Sequence, residues 1–443
     1  MNKTILSFFC LVLISSGFAQ SQDLTKIVTY YDSLNTIIKE EYFVIGNDSN
    51  RVEGDFVRYY ADGNVSVKGQ FKDGKKTGTF IEYFKHGTVQ RKMEYEDNLR
   101  NGPLYVYNER GTLLQSGSFK KDILSDQLTV YYDNGKLKSE SFFINGKPEG
   151  IIKEFYTNGD IKQEIAYEDG KPNGITKLYY DNGKLKSEGN YKNGVLHGYF
   201  KTFHANGQLD TESYNQEGKK TGNFKTYNFD GNLVLEGNYE KGLLHGPNKA
   251  YYADGRTKHE LNYDKGKRIG ENFTYYPDRT INEKTIYYNQ EKDRKILKYN
   301  PDQSINFEKE YKNELPEGTW NYFDQSGQLQ ITEVYLNGKL NGTRTTYHEN
   351  GKVAKEESFQ NGMPVDQIKE YFPSGNPKSI ANTKSGKRFG EYKSYFDNGK
   401  LESEGAYNGT KEIGEWKNYN EEGKLVKVIT FKNGVVDKEK VMK

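Results

Sequence analysis

The stretch YYDNGKLKSEGNYKNG at residues 179–194 decides the fold, because nearly the same string occurs again elsewhere in the chain. YYDNGKLKSES stands at residues 131–141, and YFDNGKLESEGAYNG stands at residues 395–409. Tyr131 and Tyr179 lie 48 residues apart, which suggests a repeating unit of 24 residues. A fixed period of this length over a whole chain indicates a repeat architecture.

The glycine of the Asn-Gly pair supports this period. When the chain is read in steps of 24 residues in both directions from Gly183, 14 of 16 positions are glycine, and Arg279 and Gln303 are the two exceptions. The turn glycines are Gly63, Gly87, Gly111, Gly135, Gly159, Gly183, Gly207, Gly231, Gly255, Gly327, Gly351, Gly375, Gly399 and Gly423. No insertion or deletion interrupts the series, so the units have equal length.

Two aromatic columns, each a set of residues spaced 24 apart, are as regular as the glycines. Every residue of the Tyr59 column is Tyr or Phe, 16 of 16, and the Phe71 column is aromatic at 14 of 16 positions. The stretch 272–310 loses its turn glycines but keeps four column tyrosines in phase. These are Tyr275, Tyr287, Tyr299 and Tyr311. We therefore interpret this stretch as a degraded part of the same array.

Composition limits the class of protein. The hydrophobic fraction is 34% and the mean hydropathy is −0.95, which is too polar for one conventional core in 443 residues. Disorder is the usual reading of such polarity, but aromatic residues make up 14% of this chain and recur at fixed intervals. The formal net charge is only +2 and the basic residues are spread through the units, so nucleic-acid binding is not expected.

The first residues differ from the array. MNK is followed by the apolar run TILSFFCLVLIS and by the small-residue stretch SGFAQ. This pattern predicts a secretory signal peptide at residues 1–19, cleaved after Ala19 or Gln20, and the protein is then exported to the periplasm, the outer membrane or the medium. A membrane anchor is disfavoured because the run is short for a span of about 20 residues. Cleavage removes Cys10, the only cysteine, so no disulfides or thiol chemistry are expected.

Each unit reads as two strands separated by turns. Asn-Gly between alternating apolar residues is a strong hairpin signal, because the turn needs a positive φ that Gly and Asn accept readily. A three-residue turn with Gly183 as a left-handed bulge places Tyr179 opposite Leu185. Leu185 and Tyr191 have the same parity, so we expect them to share one face of the sheet with Tyr179.

The sequence therefore predicts an all-β fold: an elongated, single-layer antiparallel β-meander of about sixteen 24-residue hairpin repeats, with about 33 strands. We assign residues 24–54 to an N-terminal capping half-unit and residues 55–438 to the repeat array. The degraded units at 272–310 lie within that array, and residues 439–443 form a C-terminal tail. Each unit contacts only its neighbours in such an array.

The segments EGNYKNGVLHGYFKTF and GKLKSEGNYKNGVLHG resemble the MORN repeat, in the bacterial variant grouped with YwqK-type antitoxins. The resemblance covers roughly residues 25–438. It implies a long, twisted, single-layer sheet used as an interaction or scaffolding surface. The antitoxin grouping implies binding to a toxin protein, and some members are linked to membranes, so membrane contact is implied by family analogy alone. The signal peptide argues against neutralisation of a toxin in the cytoplasm.

The array offers few candidates for chemistry. Six histidines occur, namely His86, His197, His204, His245, His259 and His348. His204 and His348 share a column that is normally Tyr or Phe, so these histidines are expected to fill repeat positions. Residues of one column lie about 9.5 Å apart in neighbouring units, too far to share a zinc ion. We expect no metal, no cofactor and no enzymatic activity.

A column of glutamates is explained in the same way. Its members are Glu140, Glu164, Glu188, Glu212, Glu236, Glu260, Glu308, Glu356 and Glu404. Their spacing of about 9.5 Å is too wide for a shared calcium ion. Lysines beside them suggest cross-strand ion pairs on a solvated face, each contributing under about 1 kcal/mol.

The 37 tyrosines support two interpretations. Most should replace a core by packing, and some should form a binding platform. The predicted function is a non-enzymatic interaction or scaffolding surface in the cell envelope, with a protein or an envelope polymer as partner. The alternatives are a YwqK-like antitoxin and a polysaccharide-binding surface protein. Because the degraded units break the pattern, we assign the partner surface to their tyrosines, Tyr275, Tyr287, Tyr299 and Tyr311.

The degraded units are also the predicted weak point. Arg279 and Gln303 replace turn glycines, and Gln290 and Arg294 replace loop glycines. A left-handed turn without glycine costs on the order of 1 kcal/mol. We therefore expect other turn types there, a bend or partner site, and faster amide exchange across 277–306 than across 179–208.

Overall fold

The computed structural model describes residues 23–442, without the side chain of Gln290. The predicted signal peptide lies outside the described residues, as does the last residue of the predicted tail. The chain divides into two compact units at the boundary between Val195 and Leu196, and each is described by itself.

The first unit contains fourteen complete strands. They are β1 Leu24–Tyr30, β2 Ile38–Ile45, β3 Val52–Tyr59, β4 Val65–Lys72, β5 Lys75–Tyr83, β6 Val89–Glu96, β7 Leu99–Tyr107, β8 Leu113–Lys120, β9 Ile123–Tyr131, β10 Leu137–Ile144, β11 Lys147–Phe155, β12 Ile161–Glu168, β13 Lys171–Tyr179 and β14 Leu185–Lys192. Each strand pairs antiparallel with the next, as β12 does with β13 and β13 with β14.

The boundary falls in β15 Val195–Phe203. The second unit continues with β16 Leu209–Gln216, β17 Lys219–Tyr227, β18 Leu233–Glu240, β19 Leu243–Leu244, β20 Gly246–Tyr251, β21 Thr257–Asp264, β22 Lys267–Arg268, β23 Gly270–Tyr275, β24 Ile281–Tyr288, a 3-10 turn Asn289–Glu291, β25 Asp293–Tyr299, β26 Ile305–Lys312, β27 Leu315–Phe323, β28 Leu329–Leu336, β29 Lys339–Leu340, β30 Gly342–Tyr347, β31 Val353–Gln360, β32 Met363–Tyr371, β33 Pro377–Lys384, β34 Lys387–Tyr395, β35 Leu401–Asn408, β36 Lys411–Tyr419, β37 Leu425–Lys432 and β38 Val435–Val441.

The predicted all-β antiparallel meander is confirmed. No α-helix occurs in residues 23–442, and strands follow one another in chain order in both units. The count is 38 rather than about 33 because β19, β22 and β29 are two-residue pieces and because the N-terminal segment 24–54 adds β1 and β2. Each two-residue piece is separated by one residue from the longer strand that follows, and both pieces pair with the same neighbour, as β19 and β20 pair with β18.

The predicted three-residue turn is present. Tyr179 pairs with Leu185, and Gly183 has a φ of 77°. The Gly183 N–H donates to the Tyr180 carbonyl at 3.0 Å, and the Tyr180 N–H donates to the Lys184 carbonyl at 2.8 Å. Glycine is favoured here because a side chain at a positive φ is strained.

A second bulge directly after this turn changes which face of the sheet the following side chains lie on. Leu178 pairs with Ser187 while Tyr179 pairs with Leu185, so Lys186 is one extra residue on its strand. A bulge of this kind inverts the parity of everything beyond it. Tyr191 therefore lies on the opposite face from Leu185, and the expectation that both share one face is wrong.

The other end of most hairpins is a two-residue turn. Asn193 and Gly194 have φ values of 52° and 83°, which are typical of a type I′ turn. The Gly194 N–H donates to the Pro172 carbonyl at 2.7 Å. Because Pro172 belongs to the preceding hairpin, this bond joins successive tight turns.

The degraded units keep the three-residue turn. Arg279 and Gln303 have φ values of 79° and 69°. Arg279 N–H donates to the Tyr276 carbonyl at 3.0 Å, and Gln303 N–H donates to the Asn300 carbonyl at 2.9 Å. The expectation of other turn types at these two positions is wrong: the hairpin geometry is imposed on non-glycine residues.

The loop between β24 and β25 does change. Four residues, 289–292, separate Tyr288 from its partner Asp293, and the pairing then runs without a register shift to Glu283 and Lys298. In β12 and β13 the turn has two residues, and a register shift follows within the pair. Two residues have therefore moved from the bulge into the turn. This keeps the 24-residue period and removes the need for glycine at Arg294.

Candidate interaction surface

The sheet has two chemically different faces. The glutamate face carries the Tyr59 column and the glutamate column: Glu164 pairs with Lys177, two residues from Tyr179 on the same strand. The aromatic face carries the Phe71 column and the Phe80 column. Phe80 lies opposite Gly69, and Gly69 shares its side of the strand with Phe71.

On the glutamate face, tyrosine hydroxyls donate hydrogen bonds to carboxylates fifteen residues earlier. The pairs are Tyr179 with Glu164 at 2.9 Å, Tyr251 with Glu236 at 2.6 Å, Tyr275 with Glu260 at 3.2 Å, Tyr371 with Glu356 at 2.9 Å and Tyr419 with Glu404 at 2.9 Å. Burial and the adjacent carboxylate raise the pKa of Tyr179, Tyr251 and Tyr371 to about 12. The columns form a ladder in which each tyrosine reaches across to the preceding hairpin.

The expected lysine partners of the glutamate column are also present. Lys177 lies 3.8 Å from Glu188, and Lys249 lies 2.9 Å from Glu260. The glutamates thus accept hydrogen bonds from tyrosine as well as ion pairs from lysine. The sequence pattern did not reveal the tyrosine partner, because the two columns are fifteen residues apart and meet only through the strand register.

The aromatic face holds the best-buried side chains. The Phe80 ring is 4% exposed and packs edge-on against Phe71 at 5.5 Å and Tyr95 at 5.2 Å between ring centroids. A Cβ at Gly69 would approach the Phe80 ring to 2.5 Å. Trp416 covers Gly405 in the same manner in the second unit. These glycines are needed for space, because a large ring occupies the volume above them.

The turns are joined by a ladder of their own. The hydroxyl of Tyr132 donates to the Phe155 carbonyl at 2.6 Å, and that of Tyr252 donates to the Tyr275 carbonyl at 2.8 Å. His204 and His348 occupy the same column. Their Nε2 atoms lie 3.0 Å from the Tyr227 carbonyl and 2.9 Å from the Tyr371 carbonyl. These two histidines therefore replace the tyrosine hydroxyl in this ladder, which agrees with their expected role as repeat residues.

The four tyrosines of the degraded units do not form one surface. Tyr275 pairs with Ile281, and the neighbouring Thr274 pairs with Glu283. Adjacent residues of a strand point to opposite faces, so Glu283 lies on the face opposite Tyr275. Tyr287 lies on the same face as Glu283, because it is four residues further along β24. Tyr275 and Tyr299 therefore lie on the glutamate face, and Tyr287 and Tyr311 lie on the aromatic face. A single surface formed by all four is therefore wrong, and their involvement in partner binding remains a prediction.

The two aromatic-face tyrosines have arginine neighbours. Arg268 donates to the Tyr287 hydroxyl at 3.0 Å, and the Arg294 guanidinium lies 4.3 Å from the Tyr311 ring centroid. Cation–π contacts of this kind stabilise a fold by about 0.5–1 kcal/mol at exposed sites. The rings are thus packed within the sheet even where the turn glycines are lost.

An exposed apolar row crosses the glutamate face of the first unit. Glu140, Lys153, Glu164 and Lys177 pair in sequence across β10 to β13. On each of these strands, the residue two positions closer to the tight turn lies on the same face as the Glu or Lys. These residues are Phe142, Ile151, Ala166 and Ile175. Phe142 is 44% exposed, Ile151 60% and Ile175 53%. We call these four residues the apolar row.

The described residues contain neither of two features that would suggest other functions. No group of three or more His, Cys, Asp and Glu side chains in residues 23–442 is placed to hold a metal ion. No helix in that range is long and apolar enough to cross a membrane.

Strand order, repeated turns and the two ladders define an antiparallel β-repeat protein. Comparison of the sequence with known families gives the more specific identification: the chain belongs to the MORN repeat variant family. Eleven segments match, together more than half of the chain: residues 52–73, 76–97, 127–145, 148–169, 172–193, 196–216, 220–241, 316–337, 340–361, 390–408 and 412–433. Such repeats are interaction repeats. The family description does not mention an antitoxin, so that part of the resemblance remains a prediction.

No curated protein sequence matches the chain. Among solved structures, similar chains occur in the crystal structures of TcdB2-TccC3-Cdc42 and TcdB2-TccC3-TEV. Both are 11% identical with a TM-score of 0.15, and the alignments cover 91% of this chain and 27% of those chains. The chain therefore spans about a quarter of the length of these structures, and a likeness at this TM-score carries no argument about fold or function.

Proposed function

We propose that this protein is an exported, non-enzymatic interaction protein of the cell envelope, and that the apolar row of the first unit docks a protein partner. The observation that supports docking is the exposure of Phe142, Ile151 and Ile175 on three of the four neighbouring strands β10 to β13. Contiguous exposed apolar side chains mark interaction sites more often than scattered ones do. Export is supported by the sequence of residues 1–19.

The surroundings of the row favour a neutral, apolar partner surface. Lys153 lies 3.8 Å from Glu164, and Lys177 lies 3.8 Å from Glu188. The charges that border the row are thus paired, which leaves little net charge to attract an ionic partner. The row is carried by paired strands rather than by a loop, so it is held rigidly, and little ordering entropy is lost on binding.

The row is also specific to its position in the array. The column that supplies Ile151 and Ile175 supplies Thr79 earlier in the first unit and Asn223 in the second. Ile151→Thr with Ile175→Asn therefore replaces the row with side chains that the same strand position already tolerates. Thr79→Asn changes the same column outside the row and is the matched control.

The test is capture of partners from envelope extracts, compared by mass spectrometry between the mature protein, the double variant and the control. The expected result is a protein that the wild type and Thr79→Asn retain and that the double variant loses. Retention of the same proteins by the double variant would contradict docking at the row. Export is tested separately by fractionation and N-terminal sequencing, and an uncleaved cytoplasmic chain would contradict it.

A further inference from the structure

Several shallow depressions, each of about 380 Å³ or less, open along the sheet. One of them, of about 360 Å³ in the second unit, is lined by buried serine side chains. It lies on the aromatic face, where Ser379 pairs with Ser394, and Ser394 pairs with Ser403. Ser379 and Ser394 are 6% and 7% exposed. The Ser394 and Ser403 hydroxyl oxygens lie 2.7 Å apart. We call this depression the serine trough.

The trough lies where small residues meet, at positions where several other hairpins carry large side chains. The column of Ser394 supplies Glu82 and Leu178 elsewhere, and the column of Ser379 supplies Arg91 and Gln163. Since paired positions on neighbouring strands face the same side, two serines in contact leave an open volume that those larger side chains fill in other hairpins.

One wall of the trough is aromatic. The Tyr392 ring lines it and is fixed from behind by Tyr407 at 5.3 Å and Trp416 at 5.5 Å between centroids. Phe372 lines the turn side, with the Lys378 ammonium 5.9 Å from its ring centroid. Flat apolar rings thus stand beside the buried hydroxyls.

The remaining lining is rich in hydrogen-bond acceptors. Glu370 accepts a hydrogen bond from Ser379 at 3.1 Å and also lines the trough. Asp397 and Glu402 line it on the turn side, and Lys378 is the one basic residue among the lining groups. Three carboxylates against one ammonium make the trough unfavourable for an anion.

We propose that the serine trough binds a neutral oligosaccharide segment of a cell-envelope polymer. A sugar ring has apolar C–H faces that stack on an aromatic ring, and its edges carry hydroxyls that donate to carboxylates and exchange hydrogen bonds with serines. A volume of about 360 Å³ lies within the range of small-molecule sites. The inference rests on the proposed interaction function and gives it a second partner class at a separate place in the chain.

The variants are taken from the chain itself. Ser394→Leu introduces the residue found at Leu178, and Ser379→Gln introduces the residue found at Gln163, each in the same column. Both fill the trough with side chains that the repeat accommodates elsewhere. Thr226→Leu makes the same kind of change in the Ser394 column outside the trough, and it serves as the matched control.

The probes are maltotetraose, cellotetraose and chitotetraose, with tetragalacturonate as an anionic comparison. Calorimetry and tyrosine and tryptophan fluorescence are expected to show binding of at least one neutral probe. The affinity should fall about tenfold or more in Ser394→Leu and in Ser379→Gln and remain unchanged in Thr226→Leu. Circular dichroism confirms that each variant retains its sheet.

Three results would overturn the proposal: no neutral probe binding more tightly than about 1 mM, undiminished binding by both folded trough variants, or equal binding of tetragalacturonate. Protein capture by the apolar row uses different residues. Loss of saccharide binding with retained capture would therefore reject only the trough, whereas failure of both assays would reject the interaction function itself.

Discussion

The hydroxyl of Tyr371 donates a 2.9 Å hydrogen bond to Glu356, fifteen residues earlier. Tyr251 makes the same contact with Glu236 at 2.6 Å. Burial is the larger cause and the carboxylate the smaller cause that together raise the pKa of both tyrosines to about 12. The most regular aromatic column of the sequence thus acts partly through its hydroxyl groups and not only through its rings.

Alkaline pH should destabilise the fold through this ladder. A folded-state pKa raised above the ordinary tyrosine value favours the protonated form in the native state. The stabilisation is fully present below pH 10 and is lost as the pH rises from about 10 towards 12, because the unfolded chain ionises first. Denaturant unfolding at intervals from pH 8 to 12 measures this decline.

A double variant that removes two of these tyrosine–glutamate hydrogen bonds tests this explanation. Tyr251→Phe with Tyr371→Phe introduces the residue that the column carries at Phe155 and Phe203. The double variant should be less stable at pH 8 by about 1 kcal/mol per lost hydrogen bond. It should also lose less stability between pH 10 and 12 than the wild type. An unchanged pH dependence would show that these hydroxyls do not titrate with unfolding.

A glycine beneath a ring gives the second prediction. Trp416 is 5% exposed and lies over Gly405. Gly405→Ala should lower the free energy of unfolding by about 1–3 kcal/mol, since a methyl group there collides with the indole ring. The cost should shrink in a Trp416→Leu background, where the ring is absent. Equal costs in both backgrounds, measured by a double-mutant cycle, would refute the steric explanation.

The turn ladder gives the third prediction. His348 Nε2 lies 2.9 Å from the Tyr371 carbonyl, where other units place a tyrosine hydroxyl. His348→Tyr should therefore preserve stability, and His348→Phe should cost about 1 kcal/mol through the lost hydrogen bond. Urea unfolding of the two variants decides it: if both behave alike, the ring rather than the donor is what matters at this position.

The sequence predicted the hairpins and the three-residue turn at Gly183 because both depend on local backbone preferences. It did not predict that Tyr191 and Leu185 lie on opposite faces of the sheet. The bulge at Lys186 that separates them depends on the pairing of Ser187 with Leu178 across the hairpin. The apolar row and the serine trough were missed for a related reason. Ile151 and Ile175 share a column, but Phe142 and Ala166 belong to another, and only the strand register brings the two columns together.

The last prediction concerns the two turns that lack glycine. Arg279 and Gln303 both adopt a positive φ, which costs a side-chain-bearing residue on the order of 1 kcal/mol. The Gln303 side chain offsets this cost. Its amide nitrogen donates to the Ile281 carbonyl at 3.0 Å, and its amide oxygen accepts from the Ile281 N–H at 3.1 Å. Arg279 stands in the same turn position of the preceding hairpin.

Arg279→Gly should therefore raise the free energy of unfolding by up to about 1 kcal/mol, because it removes strain. Gln303→Gly should leave stability unchanged or lower it, because relief of strain is cancelled by two lost hydrogen bonds of about 1 kcal/mol each. Hydrogen exchange across 277–306, compared with the glycine-containing window 397–426, locates both effects. Slower exchange in Arg279→Gly but not in Gln303→Gly is the expected result. Equal stabilisation by the two substitutions would mean that the Gln303 amide contributes nothing to its turn.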